Sequence, residues 1–78
     1  MELIETARIA LQKAEREKKK AATFHCLVLL HAEELVEYGG KDFCRDVGAK
    51  ETYKTEFAKM IAVARRLREM GYAITKIK

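Results

Sequence analysis

The sequence contains no proline and no tryptophan, and it has only four glycines and two cysteines. Without proline, no residue forces a helix to break from within. The glycines stand at Gly39, Gly40, Gly48 and Gly71, so they read as punctuation between segments rather than as flexible filler. Cys26 and Cys44 each lie in apolar, helix-patterned stretches, whereas a short secreted domain stapled by disulfides carries more cysteines. Both read as reduced, partly buried small hydrophobes. The longest apolar run, Cys26 to Leu30, is far too short to cross a bilayer, so no membrane partner is expected. Met1 to Ala10 lacks the basic start and apolar block of a signal peptide, which makes the cytoplasm the default expectation. There is no glycine-rich phosphate loop, paired-carboxylate motif or dinucleotide fingerprint, so neither catalysis nor a cofactor is expected.

What is present suits a small helical fold. The 78 residues are 49% hydrophobic and 36% charged, enough apolar material for one core and enough charge for solubility. One domain spanning residues 1–78 is therefore expected. The net charge of +4 is unevenly spread: residues 41–78 hold ten Lys/Arg against five acids, while residues 21–40 hold Glu33, Glu34 and Glu37 and no Lys or Arg. A basic C-terminal half raises the odds of a polyanionic partner.

Apolar periodicity predicts an all-α architecture of four helices followed by a short C-terminal extended segment. Leu3, Ile4, Ala7, Ala10, Leu11 and Ala14 recur at steps that line one face of a first helix. Lys18 to Lys20 suit its C-terminus, where the macrodipole favours cations. Thr23 is positioned to cap a second helix, Phe24 to Tyr38, apolar nearly all round and hence central, with Gly39 ending it. Asp42 can cap a third, very short helix over Phe43 to Val47, stopped by Gly48. Thr52 can cap the longest helix, which buries Tyr53, Phe57, Met60, Ile61, Ala64 and Leu67 and closes near Met70 at Gly71. The second and fourth helices are expected to supply most of the core. The tail from Tyr72 to Lys78 is rich in β-formers and needs a partner strand.

The unit with most functional content runs from Lys41 to Ala64: a short helix, a tight turn at Gly48, and a long helix with a basic outer surface. A short helix can brace a longer one across such a turn, leaving the second free to enter a groove. Through Phe43, Cys44, Val47 and Gly48 in the brace and turn, and Tyr53, Phe57 and Ile61 on the packed face, this unit resembles the helix-turn-helix and winged-helix class of DNA-binding domains. The resemblance implies double-stranded DNA as partner and a role in transcription regulation. The expected contacts are Lys50, Thr52, Lys54, Thr55, Lys59, Arg65 and Arg66, with cations on phosphates and small residues, including Ala58 and Ala62, near base edges. Glu56 and Glu69 lie close enough to dilute the positive field.

Set against this is a solvated or protein-binding face, in which the same helices or the apolar tail dock onto a protein partner and no nucleic acid is involved. A homodimer joined through the tail or the first helix fits either reading. His25, Cys26, His31 and Cys44 are of zinc-compatible types, but adjacent residues point about 100° apart on a helix and His25 to His31 is neither an i+3 nor an i+4 step. No metal is expected there.

Overall fold

The computed structural model describes residues 2–74, which form five α-helices: α1 (Glu2–Arg16), α2 (Lys20–Leu30), α3 (Ala32–Tyr38), α4 (Gly40–Val47) and α5 (Tyr53–Glu69). The all-helical expectation holds, with one helix more than the four anticipated. The extra element comes from a break at His31 within the expected second helix. The His31 N–H still bonds to Leu27 O, but its backbone (φ −118°, ψ 26°) leaves helical geometry and its carbonyl starts α3 by accepting from Leu35 N–H. No glycine or proline marks this break. Packing imposes it, by laying α3 against α4 and α5 so that Leu35 is fully buried and Tyr38 meets Phe43 edge-on at 6.5 Å.

Helix boundaries shift elsewhere for local reasons. Helix α1 stops at Arg16 and its end is tied by Lys19 N–H to Ala14 O at 2.8 Å, the 6→1 bond of a Schellman turn. Lys18 takes the left-handed place in that turn (φ 60°), and Lys20 already opens α2, so Thr23 lies inside a helix and caps nothing. Helix α4 likewise starts earlier than Asp42 indicates: Gly39 serves both as the end of α3 and the N-cap of α4, and Gly40 is already helical. Thr52 is itself in helical geometry and makes no side-chain capping bond, because a turn at Glu51 and Thr52 leads straight into α5. Residues 72–74 form no strand, and the remainder of the expected extended segment, residues 75–78, lies outside the described residues.

One contiguous core holds the helices together, and it is shared more evenly than the expectation that two helices dominate. Helix α1 contributes Ile4, Ala7 and Leu11, and α4 contributes Phe43, Cys44 and Val47. At the centre Phe43 touches Phe24 (5.6 Å between ring centroids) and Phe57 (5.5 Å), while Tyr53 stands edge-on to Phe24 at 4.9 Å. Such pairs add roughly 0.5–1.5 kcal/mol each beyond area burial. Cys44 is buried here and burial pushes its thiol pKa up, whereas Cys26, expected to be partly buried, is exposed on α2.

Candidate nucleic-acid interface

The interface is built outward from the α4–α5 turn. Gly48 sits at the C-cap of α4 in the left-handed region (φ 77°, ψ 24°), and Ala49 N–H closes onto Cys44 O at 2.8 Å. The chain thus reverses at the position the sequence indicated. Beyond it Lys50, Glu51 and Thr52 are exposed, and α5 then buries Phe57 and Ile61 with Tyr53, Met60, Ala64 and Leu67 half-buried beside them. Bulky Tyr53 and Phe57 fill the aromatic centre and so anchor α5 to α2 and α4.

All seven positions anticipated from the sequence, Lys50, Thr52, Lys54, Thr55, Lys59, Arg65 and Arg66, are exposed. At 100° per residue they do not form one line. Thr55, Lys59, Ala62 and Arg66 fall on the outermost stripe of α5, opposite Phe57. Lys54, Ala58 and Arg65 run along one flank, and Lys50 and Thr52 stand at the turn. Among the described residues nothing covers the outer stripe, whose members are all exposed.

The positive field is moderated by local ion pairs. Lys54 approaches Glu51 at 3.3 Å, Lys59 approaches Glu56 at 3.3 Å, and Arg66 approaches Glu69 at 3.1 Å. Each is an exposed i,i+3 pair whose contribution is a few tenths of a kcal/mol, so it breaks at small cost. Among the described residues, Lys50 and Arg65 have no carboxylate partner. Glu56 is only partly available to dilute the field: His25 Nε2 donates to its Oε1 at 2.9 Å across α2 and α5. That hydrogen bond first, and Lys59 second, hold the Glu56 carboxyl below the usual carboxylate range. The latch joins residues 31 apart, and nothing in the local pattern of either helix announces it.

A second polar cluster steadies the supporting helix. The Tyr38 hydroxyl donates to Asp46, Arg45 Nε donates to Asp46 Oδ1 at 2.9 Å, and Arg8 Nε donates to the Asp46 carbonyl at 3.0 Å. Helices α1, α3 and α4 are thereby tied at one residue. Arg45 and then Tyr38 lower the Asp46 pKa, and the same carboxylate raises that of Tyr38. The zinc-compatible residues do not converge: His25 engages Glu56, Cys44 faces the core and Cys26 faces solvent. Among the described residues no group of three or more His, Cys, Asp or Glu could hold a metal, and no helix is long and apolar enough to cross a membrane.

Comparison with protein families supplies the class. Residues 1–70 match the family model described as an HTH-like domain. The chain belongs to that family. No curated protein and no solved structure matches it closely enough to name a relative. The match takes in α1 to α5, so the HTH-like domain includes α1, α2 and α3 around the α4–turn–α5 unit rather than that unit alone.

Proposed function

We propose that this HTH-like domain is a non-enzymatic module that binds double-stranded DNA, with α4 as the supporting helix and α5 as the helix presented to the major groove. The observation that carries the reading is the uncovered outer stripe of α5, where Thr55 and Ala62 alternate with Lys59 and Arg66 directly after a turn made at Gly48. Small side chains let the helix backbone approach base edges while flanking cations meet phosphates. Lys50, Lys54, Lys59 and Arg66 are assigned to phosphates and Thr52 and Thr55 to the groove, whereas Arg65, expected on phosphates from the sequence, lines the hollow between α3 and α5. Pairing of two modules across a two-fold axis belongs to this reading, because one module contacts too little duplex for tight binding. A role in transcription regulation is the natural use of such a module.

Fluorescence anisotropy with a mixed-sequence duplex tests it. Binding is expected at low ionic strength, with log K falling against log salt at a slope of about −0.9 per neutralised phosphate. Reversing Lys54, Lys59 and Arg66 together to Glu should remove binding while the helical circular dichroism stays unchanged. Absent or salt-insensitive binding at low ionic strength, or binding that survives the triple reversal, rejects the assignment.

The reading of a protein-binding module draws on a different observation. Leu30, Val36, Tyr72 and Ile74 are exposed apolar residues around one groove, away from the outer stripe of α5.

A further inference from the structure

Between α3 and the C-terminal part of α5 lies a groove of about 520 Å³. Leu29, Ile61 and Leu67 are part of its apolar lining, and Leu30, Val36, Tyr72 and Ile74 also line it, each at least 38% exposed. Single exposed apolar side chains are ordinary on a small protein, but several converging on one hollow mark a contact surface. Its two walls carry opposite charge. Glu33 and Glu34 stand on the α3 side, and Arg65 and Arg68 stand on the α5 side.

We propose that this groove seats a second copy of the same chain, related by a two-fold axis. A two-fold contact must be self-complementary, because the same patch meets itself turned by 180°. A surface with an acidic wall and a basic wall satisfies that requirement when the axis runs along the groove, because that rotation sets the acidic wall of each copy against the basic wall of the other. Arg68 is already closed onto Glu33 within the chain, which leaves Glu34 and Arg65 to reach across. Glu34 is only loosely engaged at home, 3.9 Å from His31 Nδ1. The acidic wall also disfavours a nucleic acid in the groove, so this end of the molecule and the outer stripe of α5 serve different partners. The polar hollow near α4, lined by Arg8, Lys20 and Arg45, is a weaker contact surface because each cation there already faces a carboxylate in its own chain.

The inference gives a surface to the pairing that the duplex reading invokes, and it uses the start of the tail, Tyr72 and Ile74, with α3 and α5 rather than the first helix. Its measurement nevertheless needs no DNA. Sedimentation equilibrium of the full chain should return twice the 9.0 kDa chain mass at tens of micromolar. Glu34→Arg and Arg65→Glu, both at exposed positions, should each weaken self-association at least ten-fold. An equimolar mixture of the two should restore a dimer, because every cross-copy pair is then again of opposite sign. Leu30→Asp should dissociate the dimer without relying on those charges. A wild-type chain that remains monomeric at millimolar concentration overturns the proposal, as does a dimer indifferent to Leu30→Asp and both charge reversals, or a mixture that stays monomeric. A monomer that binds duplex with a steep salt dependence overturns the pairing alone. A dimer with no duplex affinity overturns the DNA role alone.

Discussion

Gly48 and Gly40 lie at opposite ends of α4 and resist substitution for different reasons. At Gly48 the backbone is left-handed and a Cβ would meet nothing within 4 Å, so Gly48→Ala costs only the conformational penalty, about 1 kcal/mol. At Gly40 a Cβ would come within 3.0 Å of the Phe57 ring, and that close approach is what lets α4 pack against α5. Gly40→Ala is therefore expected to lose about 1 kcal/mol through overpacking, despite alanine's helix preference. Denaturant titration of a double-mutant cycle separates the two. In a Phe57→Leu background the Gly40→Ala penalty should shrink, while the Gly48→Ala penalty should stay the same. Lys18 is the converse case, a non-glycine residue held left-handed in the α1–α2 turn. Lys18→Gly is expected to raise stability by about 0.5–1 kcal/mol, read as a higher denaturant midpoint at unchanged slope.

The helices are held to one another by the aromatic core and by two hydrogen-bonded carboxylates, Asp46 joining α3 and α4 and Glu56 joining α2 and α5. Both carboxyls titrate below their ordinary values in the folded chain, so the unfolded chain binds protons more readily as the solution is acidified. Their stabilising contribution is fully present above about pH 5 and is lost as pH falls through about 4 and below. Denaturant midpoints measured between pH 6 and pH 2.5 should fall over that window. In Asp46→Asn the fall should be shallower and the starting stability lower. Tyr38 works in the opposite sense: Asp46 raises its pKa, so its contribution is present below about pH 10 and is lost above it. The cations of α5 are a separate matter, because their exposed i,i+3 partners steady the helix only slightly and add little to this pH dependence.

At the scale of the whole molecule, the extents are 34 × 29 × 23 Å, about the length of one turn of B-DNA. Under the pairing proposal, two copies would have to place their α5 outer stripes about 34–36 Å apart to meet successive half-sites. If the duplex and pairing proposals both hold, measured DNA affinity should depend on protein concentration around the dimerisation constant. Leu30→Asp should then weaken duplex binding while leaving the outer stripe of α5 untouched.

Local chemistry by itself determined that the chain is helical, that Gly48 ends one helix before the longest begins, and which side of that helix faces solvent. Apolar spacing of three and four residues and the conformational freedom of one glycine act over a few residues, so they can be read along the chain. The placement of Phe43, Val47, Phe57 and Ile61 inside, and of Thr55, Lys59 and Arg66 outside, follows from the same spacing. Only the tertiary structure decided the break at His31, the early start of α4 at Gly39 and Gly40, the pairing of His25 with Glu56, and the groove with its acidic and basic walls. Helix α2 is apolar on nearly every side, so its pattern carries no instruction about where the chain should bend. Contacts between residues tens of positions apart arise from how whole helices pack, and no local rule encodes them.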